Sequence, residues 1–115
     1  MLSRKNRFHG HNALNFTYRK GRSVKDDLVS LKYTNNPKRR NFRVAVVVSK
    51  KVSKSAVKRN KIRRRIYQIV RDHSKRIKPS YDLVFTVYSL ETYSLEYKQL
   101  EEIIKQLLER AAATA

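Results

Sequence analysis

At 115 residues and 13.6 kDa the chain has room for one domain, and 28 Lys and Arg against 9 Asp and Glu give it a net charge of +19. No apolar run nears the roughly 20 residues of a membrane span, no secretory-type apolar stretch sits at the N-terminus, and without cysteine there is neither a disulfide framework nor a thiolate metal site. Together these features predict a cytoplasmic protein, monomeric when free and away from membranes, whose partner is a polyanion. Nucleic acid fits better than anionic lipid, because the hydrophobic residues follow core-forming patterns.

The charge is uneven. Residues 1–71 hold 22 basic and 2 acidic side chains, whereas residues 72–115 hold 6 and 7. The binding surface is therefore expected in the first two-thirds of a single RNA-binding domain spanning 1–115.

Residues 1–9 read as a basic arm anchored by Leu2 and Phe8. From Asn12 to Lys20 the spacing predicts a short helix, capped by Asn12 and stopped by Gly21. Val24–Tyr33 alternates, with Val29, Leu31 and Tyr33 on one face and Leu28, Ser30 and Lys32 on the other, as a half-buried strand does. Turn chemistry at Asn35-Asn36-Pro37 precedes Phe42–Ser49, whose Val44-Ala45-Val46-Val47-Val48 core predicts the central strand of the sheet, in an antiparallel hairpin with its predecessor.

A long helix is expected over 55–77, ended by Lys78-Pro79, with Ile62, Ile66, Ile69, Val70 and Ile77 on one stripe. Asn60, Arg64, Arg71 and Lys75 cluster on the other side. Tyr81–Ser89 predicts a third strand. From Ser94 to about Ala112 a final amphipathic helix points Tyr97, Leu100, Ile104, Leu107 and Leu108 inward, and 111–115 reads as a disordered tail. The order α-β-β-α-β-α predicts an α+β fold, a two-layer sandwich with a small central sheet.

Ser49–Ile66 (S-K-K-V-S-K-S-A-V-K-R-N-K-I-R-R-R-I) is dense in Lys and Arg and contains no acid. Such a run is either solvated or neutralised by a polyanion. Its purity of sign and its place at a strand-to-helix junction favour phosphate, since each neutralised phosphate releases counterions and guanidinium binds it bidentately. On that ground Lys50, Lys51, Lys54, Lys58, Arg59, Lys61, Arg63, Arg64 and Arg65 are candidate phosphate ligands. Phe16 reads as a core aromatic, a role that Tyr18 and Tyr33 also allow.

Val48-Ser49-Lys50-Lys51, a short spacer, Arg59-Asn60-Lys61 and Ile62-Arg63-Arg64 closely resemble the signature of the bacterial ribonuclease P protein component, with Lys61 where that family usually has Arg. The resemblance runs over nearly the whole chain. It implies a subunit of an endoribonuclease that binds a catalytic RNA and helps it remove the 5′ leader of precursor tRNA, and a left-handed βαβ crossover around the basic helix. It further implies that Lys50, Lys51, Lys54, Lys58, Arg59, Asn60, Lys61, Arg63 and Arg64 face the catalytic RNA. Leu14, Tyr18, Lys32, Tyr33 and Arg7 would form a cleft for the leader, although the family often has an aromatic where Leu14 stands. Mg²⁺ would be held through the RNA, with none bound by the protein alone.

A protein-borne active site finds little support. His9, His11 and His73 are the only histidines, and Asp26, Asp27, Asp72 and Asp82 have no spacing suited to a metal or an acid–base pair. A ribosomal or other structural RNA-binding protein is the reading from a different class that the same size and charge allow.

Overall fold

The computed structural model describes residues 6, 8, 11–38 and 40–114. Its elements are α1 (His11–Lys20), β1 (Arg22–Lys25), β2 (Val29–Asn35), β3 (Arg43–Val48), α2 (Ala56–Asp72), a 3-10 turn (Ser74–Arg76), β4 (Tyr81–Val87), a one-turn α3 (Glu91–Ser94) and α4 (Tyr97–Arg110). The α+β class agrees with the sequence; the strand arrangement does not.

The single expected strand at 24–33 is two, folded back on each other at Asp26-Asp27-Leu28 with Val24 opposite Leu31. There the Asp26 carboxylate accepts the Leu28 N–H at 3.2 Å, an Asx turn that the alternating pattern conceals. The sheet order is β1-β2-β4-β3. The expected β2–β3 hairpin is absent. Instead β4 lies between them, antiparallel to β2 (Leu31 opposite Phe85) and parallel to β3 (Val46 opposite Phe85).

The central strand is thus β4, all seven residues of which are buried, and the valine-rich β3 is an edge. Ala45 and Val47 are only half-buried, which shows that an apolar run can belong to an edge with one open face. Tyr67 reaches over from α2, its hydroxyl accepting the Val46 N–H at 3.2 Å.

Alternation along the strands sorts the two faces. Val29 and Leu31 of β2, Leu83 and Phe85 of β4, and Val44, Val46 and Val48 of β3 join Ile62, Ile66, Ile69 and Val70 of α2 and Leu100, Ile104, Leu107 and Leu108 of α4 in one hydrophobic cluster. Ser30, Lys32, Thr34, Val84 and Thr86 project to the opposite side, where α1 crosses β2 and β4. There Thr17, fully buried, sits 3.5 Å from Thr34 (Oγ1 to Oγ1). Gly21 lets α1 end against the sheet: a Cβ there would stand 2.4 Å from the Thr17 carbonyl oxygen and 2.8 Å from that of Tyr33.

Several boundaries also move. Asn12 falls inside α1, and α2 stops at Asp72, giving way to the 3-10 turn before Ile77. The last helix starts at Tyr97, where a capping box joins Glu96 and Gln99, and Tyr97 itself points outward. The expected tail at 111–115 is packed over its described part. Ala111 and Ala113 are buried, the Ala113 carbonyl accepts the Lys78 N–H at 2.7 Å, and Thr114 bridges Ile77. Ala113 N–H to Leu108 O and Ala112 N–H to Glu109 O make a Schellman turn, with Ala112 at φ 55° where glycine is usual. Leu2, Arg7 and the rest of the arm other than Asn6 and Phe8 lie outside the described residues, as does Ala115.

Candidate RNA interface

The basic stretch leaves β3 at Val48 and turns into α2, whose N-terminus is set by Ser55: its hydroxyl accepts the Lys58 N–H at 3.3 Å. In the preceding loop Ser49 O accepts the Val52 N–H (3.1 Å) and Ser53 Oγ the Ser55 N–H (3.2 Å). No acid occupies the first turn of α2, so its free N–H groups, the positive end of the helix dipole and the lysines act in one direction.

Lys50, Lys51, Lys54, Lys58, Asn60, Lys61 and Arg64 are exposed, while Arg59 and Arg63 are half-buried. Four buried side chains, Ile62, Ile66, Ile69 and Val70, hold the other side of the helix on the sheet. Arg63 lies back along the helix, donating to Asn60 Oδ1 and, at 3.4 Å, to the Val48 carbonyl. The Arg59 Nε is buried and has no hydrogen-bond partner.

Arg65, indistinguishable from Arg64 by charge, has a different task. Its guanidinium donates to the carbonyls of Thr92 (2.8 Å), Tyr93 (3.1 Å) and Leu95, satisfying backbone groups at the end of α3. The α3 segment so fixed presents Tyr93, with Lys61 Nζ 5.0 Å and Lys58 Nζ 5.5 Å from its ring centre. Sequence reading missed Tyr93, since nothing local links it to a helix some thirty residues earlier.

On the other face of the sheet, where the family resemblance implies a cleft, α1 packs across β2 and β4. Tyr18 stands beside Thr86 (3.4 Å, hydroxyl to hydroxyl), and Lys32 places its ammonium 4.2 Å above the Tyr18 ring while donating to the Tyr18 carbonyl at 3.0 Å. Leu14, one turn earlier, shares that side of α1 and is half-buried. Tyr88, paired with Ser30 at 2.8 Å and half-exposed, lies on the same face of the sheet.

Tyr33 does not join them. It faces the opposite side of the sheet, stacked on Tyr81 at 5.9 Å and 27°. Arg7 is outside the described residues, and Phe16, expected in the core, is 55% exposed. Beyond the cleft, Arg43 and Asp82, facing each other across β3 and β4, form a bidentate pair (2.9 and 2.7 Å) with the Arg43 guanidinium 4.8 Å from the Phe8 ring centre. That pair becomes recognisable only once the strand partners are known.

Among the described residues no group of three or more His, Asp or Glu is placed to hold a metal ion, and no helix is long and apolar enough to cross a membrane. At the far end of α2, Asp72 and Tyr97 perturb each other. The Tyr97 hydroxyl, with help from Gln68, His73 and Arg71, holds the exposed Asp72 carboxyl below its ordinary range, against a smaller opposing effect of burial. Burial and the Asp72 carboxylate in turn push the Tyr97 phenol up.

The family model for ribonuclease P matches residues 2–112. The chain belongs to the ribonuclease P protein family. It is 32% identical to the ribonuclease P protein component of Pseudanabaena sp. (strain PCC 6903) over 111 residues, 96% of this chain and 95% of the relative. It is 37% identical to that of Clostridium novyi (strain NT) over 95 residues, 82% of each. A solved ribonuclease P protein of Staphylococcus aureus superposes with a TM-score of 0.83 at 25% identity, covering 96% of this chain and 98% of that one. Membership places the chain in the ribonuclease P holoenzyme, an endoribonuclease of tRNA processing, and implies an RNA subunit as partner.

Proposed function

We propose that this ribonuclease P protein is an RNA-binding subunit that contributes position and charge while the RNA carries the chemistry. The observation behind this reading is the exposed half of α2: Lys58, Lys61 and Arg64 project from a helix whose opposite side is fully buried, with Asn60 as a neutral donor and acceptor among them. This face would dock on the catalytic RNA, giving affinity through counterion release and register through fixed spacing. The cleft of Leu14, Tyr18 and Lys32 would hold the unpaired 5′ leader of precursor tRNA, with Tyr18 as a stacking platform. Mg²⁺ would be bound through the RNA. By offsetting phosphate repulsion, the protein would lower the Mg²⁺ concentration that substrate binding needs. The protein would act as a monomer in the cytoplasm.

Reconstitution tests this. The purified chain, added to its cognate RNA, is expected to lower the Mg²⁺ concentration for half-maximal cleavage of precursor tRNA and to leave precursor intact when no RNA is added. Cleavage by the protein alone, or an unchanged Mg²⁺ requirement, would overturn the reading.

A further inference from the structure

Helix α1 has two exposed flanks. Thr17, buried against the sheet, divides them: Leu14 and Tyr18 lie on the cleft side, Phe16 and Lys20 on the other. On that second side is an open groove at the end of the sheet where β2 finishes and β4 begins, bordered by Phe16, Lys20, Arg22, Tyr33, Arg110 and Ala112. It is separate from the basic start of α2, which follows the opposite end of β3 and, by the length of a seven-residue strand, is about 20 Å away.

Three properties of the groove point to one kind of occupant. Phe16 is 55% exposed, an aromatic face that the fold does not use. Across from it Tyr33 is braced from behind by the stacked Tyr81, whose hydroxyl donates to the Ala111 carbonyl at 3.1 Å, so this wall is rigid. The lining contains three cations and no acid, and Arg110 is held in place by its bond to the Lys25 carbonyl at 2.8 Å. Aromatic faces flanked by fixed positive charge suit unpaired nucleic acid, in which bases stack and phosphates meet the cations.

We propose that the groove between Phe16 and Tyr33 is a second seat for unpaired RNA, with a base on Phe16 and its phosphates on Lys20 and Arg22. The proposal rests on the RNA-binding reading above but concerns a different side of α1. An unpaired strand would thus be gripped on both flanks of one helix.

The test uses the purified full chain and an unpaired dodecaribonucleotide carrying 4-thiouridine. Phe16→Leu keeps an apolar side chain but loses the stacking face, and should weaken binding by about 5- to 150-fold, with Phe16→Tyr restoring it. Thermal midpoints should stay level, because Phe16 is outside the core. Ultraviolet crosslinks should map to Phe16 or Tyr33. Unchanged affinity in Phe16→Leu, or crosslinks confined to Tyr18 and α2, would overturn the proposal. Assembly of Arg64→Ala with the catalytic RNA is measured in parallel: if that assembly is impaired while Phe16→Leu binds the oligonucleotide normally, the groove falls and the α2 interface stands.

Discussion

Helices α2 and α4 do the same structural work and present opposite surfaces. Each pins four aliphatic side chains to one face of the sheet, Ile62, Ile66, Ile69 and Val70 in the first and Leu100, Ile104, Leu107 and Leu108 in the second. Outside those stripes, α2 carries seven cations and one acid, whereas α4 carries three of each. Burial therefore decides where a helix lies, and the solvent side is free to be specialised. A basic face as dense as that of α2 repels itself, so its buried stripe has to hold a helix that its own charge opposes.

Four experiments test that contrast. The largest effect should come from the shared property: Ile66→Ala and Ile104→Ala, both at fully buried positions, should each cost about 2–5 kcal/mol in urea unfolding. A much smaller loss in α2 would mean that this helix is not held by its core stripe. Arg65→Ala should follow, costing about 1–3 kcal/mol because three carbonyls lose a charged donor. Its salt dependence of RNA binding should stay at the wild-type slope, and a changed slope would place Arg65 among the phosphate contacts.

Next, Lys61→Ala with Arg64→Ala should reduce the slope of log affinity against log salt by about 1.4–1.8, two contacts at roughly 0.7–0.9 each. Replacing Lys98 and Lys105 of α4 should leave it alone, and equal losses would erase the distinction between the two helices. The smallest effect concerns their junction. Because the Tyr97 hydroxyl holds the Asp72 carboxyl low, Tyr97→Phe should raise the Asp72 titration midpoint toward its ordinary 3.8, read by carboxyl NMR. A depressed carboxyl stabilises the fold above its ordinary value and loses that contribution as pH falls through the lowered one. The variant should therefore be slightly less stable than the wild type at neutral pH, and the gap should close as pH falls through that acid window.

Much of this was readable from sequence, and the parts that were not share a cause. The α2 stripe, the strand at 81–87 and the stop at Gly21 follow from local periodicity and backbone chemistry. The position of β4 between β2 and β3 does not, because pairing Leu31 with Phe85 depends on residues 54 apart and no local pattern records it. Val44–Val48 looked central because it is apolar throughout. Yet Ala45 and Val47 are half-exposed, beside a face that α1 leaves partly open.

In the candidate cleft, alternation already separated Lys32 from Tyr33, and the structure keeps them on opposite faces. Charge alone could not separate Arg64, which faces solvent, from Arg65, which is bonded to α3. The packed end at Ala111–Thr114 was hidden for a related reason: alanine is common in tails, and only the Schellman turn and the bridge to Ile77 show that it is fastened.

The parallel pairing of β3 with β4 also bears on how the molecule assembles. Helix α2 is the connection between two strands hydrogen-bonded to each other, so the basic face reaches its final orientation only when that long loop has closed. Pairings of such sequence separation tend to be slow, on the order of milliseconds to seconds in domains dominated by them. During that interval the crowded cations of α2 have no buried stripe to oppose their repulsion. A polyanion present then would screen them.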